Sequence, residues 1–211
     1  MNKMVKDVLI LTVITVIAGL LLGFFYNITK GPISAQQEKT KQEAYLRVFP
    51  DAASIEMDAA LEDKLESAPT YLTEAGYEQE SIDEALLAKD ASGNVLGYVF
   101  TITTKEGYAG DITISTGITK AGTMTGVEIL SINETAGLGM MADTAEFKNQ
   151  FAGRTVAKFS YTKTGAAADY EIDALSGATV TTNAMVNAVD AGLAFFESAQ
   201  LKDLYGGGAN E

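Results

Sequence analysis

The sequence of 211 residues contains no cysteine and no histidine. Without cysteine, the chain has no thiolate nucleophile, no disulfide, no redox-active dithiol and no cysteine ligand for an iron–sulfur cluster. Without histidine, it has no Ser-His-Asp triad and no histidine ligand for haem or zinc. We expect no metal site, and any redox chemistry of this protein must reside on a bound organic cofactor.

Basic residues are also scarce. The chain has 15 Lys and Arg against 28 Asp and Glu, which gives a formal net charge of −13. Proteins that bind nucleic acid carry a basic surface, so we expect no nucleic-acid partner. The acidic balance by itself indicates only a soluble, self-repelling surface. The length suits one domain plus an additional segment.

The longest uncharged stretch lies near the N-terminus. Val8–Tyr26 spans about nineteen residues, close to the roughly 20 that cross a bilayer as a helix. The apolar part of a signal peptide is usually about 7–15 residues long and ends at a small-residue cleavage site, which does not follow Tyr26. A lipoprotein is excluded because no cysteine can carry the lipid. We predict a retained single-pass anchor at 8–26, after a short segment at 1–7.

One face of the predicted span carries small or polar residues at every fourth position: Thr15, Gly19, Gly23 and Asn27. Such spacing favours close packing against another membrane helix. Glycine is common in membrane helices in any case, so both interpretations stay open. Lysines flank the span on both sides, and the positive-inside rule therefore does not fix its orientation.

The segment after the span is predicted to be a helical stalk, residues 27–80. Ile33–Phe49 is a polar helix that Pro50 ends, because proline disfavours helix at the residue before it. Ser54–Glu66 is a second, acidic helix, and Ala68–Thr70 interrupts the pattern.

The remainder, residues 81–202, is predicted to form one α+β domain, followed by a flexible tail at 203–211. Alternating β-branched and aromatic residues predict three consecutive strands of an antiparallel sheet: Val95–Thr104, Asp111–Ile118 and Met124–Ser131. Two helices are predicted after them: Thr144–Phe151 and Thr181–Leu201. Four residues on one face of the second helix are assigned to the core rather than to a ligand: Met185, Val189, Leu193 and Phe196. Strands followed by helices, rather than strict alternation, indicate the α+β class.

The most informative segment is Asp173–Thr179, which reads D-A-L-S-G-A-T and directly precedes the last predicted helix. A helix N-terminus presents unpaired N–H groups and the positive end of the helix dipole, which suit a phosphate. Gly177 lets a bulky group approach the backbone, and Thr179 offers a hydroxyl beside it. The alternative is a simple helix cap supplied by Thr181 or Thr182.

A second segment, Glu134–Gly139, reads E-T-A-G-L-G and lies between the predicted sheet and the next helix. On chemistry alone it is a weak signal, because Gly137 and Gly139 equally suit a tight loop.

The string D-x-x-S-G-A-T resembles the flavinylation motif of the FMN-binding domain family. This family includes the G subunit of Rnf complexes and the C subunit of sodium-pumping NADH:quinone oxidoreductases. Its members receive FMN from a separate flavin transferase, which links the phosphate to the last threonine of the motif. The resemblance implies that Thr179 carries FMN as a phosphoester. It also implies that the transferase recognises the motif residues Asp173, Ser176, Gly177, Ala178 and Thr179.

The Glu134–Gly139 loop is similar to the family's E-T-P-G-L-G segment, with Ala136 in place of the proline. The resemblance implies that the following residues line the flavin: Glu134, Thr135, Gly137, Leu138, Gly139, Ser176, Gly177, Ala178 and Thr181. The apolar Leu138 suits contact with the ring. Backbone donors exposed by the glycines suit its polar edge.

The resemblance extends from the anchor to the last helix and is closer to the Rnf G subunit, because its quinone reductase counterpart is usually longer and contains a histidine-bearing segment. It implies an electron-transfer subunit of a membrane complex that couples ferredoxin:NAD oxidoreduction to Na⁺ or H⁺ translocation. The implied partners are the other subunits, the flavin transferase and the membrane, with the domain outside the cytoplasm. The isolated chain lacks a dinucleotide-binding fingerprint and is not expected to turn over ferredoxin or NAD.

Two alternatives remain at this point. One is the flavin subunit of a quinone reductase or of another membrane electron chain. The other belongs to a different class, a cofactor-free membrane-anchored binding or scaffolding module.

Overall fold

The computed structural model describes residues 3–204, with Lys202 described by its backbone alone. Contacts divide the chain into two units, Met1–Gln42 and Glu43–Glu211. Most of the predicted tail, including Gly206–Gly208, lies outside the described residues.

The first unit is part of one long helix, α1, which covers Lys3–Val48. The predicted span Val8–Tyr26 lies within it, and its large apolar side chains are exposed. By length and composition this helix can cross a membrane. It continues through Pro32 and ends just before the Phe49-Pro50 pair, as predicted from the restriction that proline imposes on the preceding residue.

The second unit is built on a five-stranded sheet with the order β1-β2-β3-β4-β5, in which every neighbour is antiparallel. The strands are β1 (Ser54–Glu56), β2 (Glu80–Lys89), β3 (Val95–Thr104), β4 (Ile112–Thr119) and β5 (Met124–Ser131). The predicted antiparallel sheet and the α+β class are thus confirmed. The bounds of β3 and β5 are those predicted, and β4 is displaced by one residue.

The main core lies between one face of this sheet and helix α5, which covers Thr179–Ser198. Alternating residues of β3 point into it, and Tyr98, Phe100 and Ile102 are fully buried. The Phe100 ring meets that of Phe195 edge-on, with centroids 5.4 Å apart. The four helix residues assigned to the core from the sequence are all buried there: Met185, Val189, Leu193 and Phe196.

The predicted acidic helix Ser54–Glu66 is wrong at its start. Residues Ser54–Glu56 form the edge strand β1, and helix α2 covers only Ala59–Glu66, where the Asp58 side chain caps it by accepting from the Ala60 N–H. The predicted break is also displaced, because Pro69 occupies the first turn of helix α3 (Ala68–Ala75), where proline is tolerated.

Helices α2 and α3 belong to the domain rather than to a separate stalk. Leu61 of α2 and Leu72 of α3 are buried in the main core. The compact unit begins at Glu43, whereas the sequence placed the start of the domain at residue 81.

The opposite face of the sheet is covered by the last turn of α1. Tyr45, Val48 and Phe49 form a second apolar cluster with three residues of β2 and β3: Leu86, Ala88 and Val99. The Tyr45 hydroxyl donates to Glu84 Oε2 at 2.6 Å, and Thr125 Oγ1 donates to the Val48 carbonyl.

Glycines on three strands make room for this turn. We call Gly97, Gly117 and Gly126 the glycine groove. A Cβ on Gly117 would lie 2.6 Å from the Val48 carbonyl oxygen, and one on Gly97 would lie 2.9 Å from the Phe49 ring. The close approach of the end of α1 to the sheet therefore depends on the missing side chains of Gly97 and Gly117, whereas Gly126 lies at ordinary contact distance.

Short elements connect the sheet to α5. A 3₁₀ helix at Gly139–Asp143 leads into helix α4, Ala145–Lys148, which is shorter than the predicted Thr144–Phe151. Strands β6 (Ser160–Thr162) and β7 (Glu171–Asp173) then form a parallel pair that the sequence did not predict. Helix α6, Leu201–Leu204, ends the described chain and includes the first two residues of the predicted tail.

Candidate functional site

The N-terminus of α5 is the centre of the candidate site. The helix begins at Thr179, two residues before the predicted start, with Ala178 at the N-cap position and no side chain capping it. The first N–H groups of a helix have no partner within the helix, and the dipole adds partial positive charge there. Thr179, half-buried, lies at this end of α5.

The neighbouring hydroxyls are engaged elsewhere, which disfavours the simple cap. Thr181 Oγ1 donates to Glu134 Oε2 at 3.1 Å. Thr182 Oγ1 donates to the Ala178 carbonyl at 2.9 Å and accepts from the Leu175 N–H at 3.1 Å. The two hydrogen bonds of Thr182 hold Leu175 and Ala178 against the first turn of α5, and they fix the backbone of the D-x-x-S-G-A-T segment before Thr179.

The two sequence motifs meet at this point. Glu134 reaches Thr181, and Gly139 lies so close to both that a Cβ on it would be 2.6 Å from Thr181 Oγ1 and 2.7 Å from Glu134 Oε2. Gly177 has φ +72°, and a Cβ there would lie 3.1 Å from Leu138 Cδ2. Both glycines are therefore required by close approach, and Gly177 also by its backbone conformation.

Between the motifs lies a cleft of about 480 Å³. Eight of the residues predicted to hold or carry the flavin line it: Glu134, Thr135, Leu138, Gly139, Gly177, Ala178, Thr179 and Thr181. Sequence reasoning missed two further lining residues, Tyr108 and Val180. Tyr108 is 73% exposed and lies between two glycines in the β3–β4 loop. The sequence offered only a tyrosine flanked by glycines in a predicted turn, which by itself does not indicate a cleft.

The remaining predicted residues lie on a different cavity. Asp173, Ser176 and Gly137 line a space of about 310 Å³ together with residues of the α4 region such as Met141 and Gln150. Asp173 is held there by Gln150, whose Oε1 accepts from the Asp173 N–H at 2.6 Å and whose Nε2 donates to the Asp173 carbonyl at 3.3 Å. The motif thus faces one cavity with its first half and the cleft with its second half.

The residues of the cleft fit FMN. The uncapped end of α5 offers N–H donors to a phosphate, with the Thr179 hydroxyl adjacent. Leu138, Val180 and the Tyr108 ring provide apolar and aromatic walls for a planar ring system. Thr135 and Glu134 are polar residues of the same cleft, and the Glu134 carboxylate already accepts from Thr181 Oγ1 and from the Ala109 N–H.

The fold is of the α+β class, and its cleft lies at the uncapped N-terminus of α5, an arrangement that suits a cofactor with a phosphate group. In agreement, residues 107–194 match the FMN-binding domain family. A fold comparison finds the C subunit of the Na⁺-translocating NADH-quinone reductase from Parabacteroides distasonis, with a TM-score of 0.52, 17% identity and coverage of 79% of this chain and 94% of that one. At this identity the likeness shows the fold alone.

Curated relatives match over nearly the whole chain. The G subunit of the ion-translocating oxidoreductase complex of Methanosarcina acetivorans is 32% identical over 189 residues, which cover 89% of this chain and 92% of the relative. The G subunit of the Na⁺-translocating ferredoxin:NAD⁺ oxidoreductase complex of Acetobacterium woodii is 31% identical over 196 residues, 90% of each. The chain belongs to the family of G subunits of ion-translocating oxidoreductase complexes, as the motifs predicted.

Proposed function

We propose that this protein is the electron-transfer subunit of a membrane complex that couples ferredoxin:NAD oxidoreduction to ion translocation, with FMN covalently attached to Thr179. The observation that carries the proposal is the single cleft formed by both sequence motifs, with Thr179 at the uncapped N-terminus of α5. A helix cap alone would not require the Glu134–Gly139 loop to close over the same helix end.

Attachment requires only the hydroxyl of Thr179. Its O–H bond breaks, its oxygen forms a bond to the phosphorus of an activated flavin phosphate, and the donor's leaving group departs with the electrons of the former P–O bond. A flavin transferase holds the donor and removes the proton, so Thr179 acts as a tether rather than as a catalytic residue. When bound, the isoalloxazine ring supplies the redox chemistry for which the chain itself has no group.

The names of the relatives support the wider assignment. The Acetobacterium woodii relative is named as part of a ferredoxin:NAD⁺ oxidoreductase complex, and the present chain is similar to it along 90% of its length. We propose that α1 anchors the chain in the cell membrane, that the FMN domain lies on the extracytoplasmic side, and that electrons pass between this flavin and redox centres of other subunits. The isolated chain is not expected to catalyse turnover.

The direct test is the mass and fluorescence of the chain produced in membranes together with a flavin transferase. We expect one FMN-sized mass increment, located on the peptide that contains Thr179, and a band that fluoresces after denaturation. The T179V variant removes the hydroxyl while keeping the shape of the side chain, so we expect a folded protein without the increment.

The T181V variant is the matched control, because it removes a neighbouring hydroxyl and leaves the acceptor in place. Covalent FMN that persists in T179V, or that is lost only in T181V, contradicts the assignment of Thr179. An unmodified wild-type chain despite an active transferase would favour the cofactor-free binding module.

A flavin subunit of a quinone reductase remains the second candidate, since the fold of the C subunit from such an enzyme is similar. Copurification of the neighbouring subunits distinguishes a ferredoxin:NAD oxidoreductase complex from a quinone reductase.

A further inference from the structure

The β3–β4 loop, residues 105–111, forms one wall of the cleft through Tyr108. Tyr108 is 73% exposed, and Gly110 in the same loop has φ +144°. Glycine restricts the backbone less than other residues do, so contacts with the rest of the domain contribute to the shape of this loop. The position of Tyr108 therefore depends on what binds the loop from outside.

Two carboxylates make those contacts. After Tyr108 in the chain, the Ala109 N–H donates to Glu134 Oε1 at 3.2 Å. Before Tyr108, Glu106 Oε2 accepts from Asn187 Nδ2 at 2.6 Å and from Asn183 Nδ2 at 3.3 Å. Glu134 belongs to the motif loop already described, whereas neither motif contains Glu106.

The partners of Glu106 share a helix face with the FMN acceptor. Thr179, Asn183 and Asn187 are spaced by four residues along α5 and therefore follow one another on the same side of the helix. The contact made by Glu106 thus ties the loop that carries Tyr108 to the helix that carries Thr179. Both elements line the cleft.

The backbone next to Glu106 is also fixed. Its N–H donates to Thr104 Oγ1 at 3.2 Å, and this hydroxyl donates in turn to the buried Glu80 at 3.0 Å. The next residue, Gly107, is packed so tightly that a Cβ on it would lie 2.1 Å from the Gly110 carbonyl and 3.0 Å from Glu134 Oε1. Displacement of Glu106 would therefore be transmitted directly to Tyr108.

We propose that Glu106 is a positioning residue for the flavin: by binding Asn183 and Asn187 it holds Tyr108 at the cleft, where the tyrosine ring would contact the isoalloxazine. This inference rests on the proposed function for the identity of the ligand. The contact itself belongs to the described residues and is testable without FMN.

The first experiment measures the fluorescence yield of native, FMN-loaded protein. A tyrosine packed on a flavin ring quenches its emission by donating an electron to the excited state, so Y108L is expected to be brighter than the wild type. E106A is expected to approach the yield of Y108L while carrying the same covalent FMN by mass. E106Q keeps an oxygen that can accept from an asparagine and is expected to restore most of the quenching.

The double variant E106A/Y108L decides whether the two residues act together. If Glu106 acts through Tyr108, the double variant has the yield of Y108L alone. The proposal is overturned if the double variant is brighter than Y108L, or if E106A has the same fluorescence yield as the wild type. N187A and N183A break the same contact from the helix side and replace E106A if that variant does not fold.

The matched control is D90A. Asp90 also accepts from an asparagine carboxamide, Asn94 Nδ2 at 2.9 Å, and holds a turn, but it lies before β3 and Glu106 follows the other end of that strand. We expect D90A to leave the fluorescence yield unchanged.

Hydrogen exchange of the FMN-free protein separates this inference from the proposed function. E106A is expected to accelerate exchange in residues 105–111, and D90A is not. If FMN never attaches to the wild type but exchange rises in E106A as expected, the proposed function fails and the contact stands. Unchanged exchange in E106A rejects the positioning role regardless of the ligand.

Discussion

Asp190 of α5 is a buried carboxyl group outside the cleft. It is 1% exposed; its Oδ1 accepts from the Phe159 N–H at 2.8 Å, and its Oδ2 has no hydrogen-bond partner among the described residues. Burial raises the pKa of this carboxyl to about 7, although the Phe159 N–H and the charge of Lys158 both lower it. Burying a carboxylate without a full set of partners is costly, and protonation removes the charge.

The raised pKa of Asp190 predicts how stability depends on pH. The folded state retains the proton up to a pH of about 7, whereas the unfolded chain releases it near 3.8. The folded state therefore binds more protons in this window, and the free energy of unfolding falls as the pH rises from about 4 to 7. A pKa difference of about three units corresponds to a decrease of up to about 4 kcal/mol in the free energy of unfolding.

The D190N variant isolates this effect. The asparagine side chain is uncharged at every pH, yet its oxygen can still accept from the Phe159 N–H. We expect thermal unfolding of D190N to lose most of the decline in stability that the wild type shows between pH 4 and 7. An unchanged decline would mean that other carboxyl groups are responsible for it.

The elements show where local sequence predicts the fold and where it does not. Strands β3 and β5 have the predicted bounds because their alternating apolar residues face one core. Strand β2 contains Glu84–Leu87, a run of residues common in helices, and it forms a strand because it pairs with β3 along this run and with β1 from Leu87 onward. Such pairing depends on residues distant in sequence, as does the parallel pair of β6 and β7.

The candidate site divides in the same way. The residues adjacent to Thr179 and the Glu134–Gly139 loop were predictable because each motif is contiguous. The contribution of Tyr108 was not predictable, because this residue reaches the cleft from a loop between two strands. The contact of Gln150 with Asp173 was not predictable either, because only the folded chain brings these two residues together.

The glycine groove predicts an effect at the level of elements. In G117A the new Cβ would meet Thr125 Oγ1 at 2.1 Å and the Val48 carbonyl at 2.6 Å, and overpacking of this kind costs about 1–3 kcal/mol. We expect thermal unfolding of the domain at a lower temperature, together with loosening of the last turn of α1.

The matched control for G117A is G126A on the neighbouring strand. Gly126 pairs with Gly117, but its nearest neighbour, Val48 Cα, would be 3.4 Å from a new Cβ, which is ordinary contact. We expect little loss of stability, because alanine also restricts the unfolded chain. Equal destabilisation of the two variants would argue against a specific close approach at Gly117.

At the scale of the whole molecule, the proposed sidedness is open to a direct test because the sequence contains no cysteine. A single introduced cysteine is then the only thiol in the chain. S92C places it in the exposed β2–β3 turn, and K3C places it at the start of α1. We expect a membrane-impermeant maleimide to label S92C but not K3C in intact cells, and both after lysis. The reverse pattern places the domain in the cytoplasm.

The junction at which Leu138 packs against Gly177 separates two cavities along one short segment of chain. In the proposed flavoprotein, the fraction of molecules that carry FMN and the spectrum of the bound FMN can therefore change independently. If the transferase recognises the first half of the motif as proposed, changes at Asp173 or Ser176 lower the fraction loaded and leave the spectrum of each loaded molecule normal. Changes at Val180 or Tyr108 should alter the colour and emission of every molecule at full loading. A flavin spectrum, divided by the fraction of molecules that mass spectrometry shows to carry FMN, then indicates which of the two cavities a substitution has disturbed.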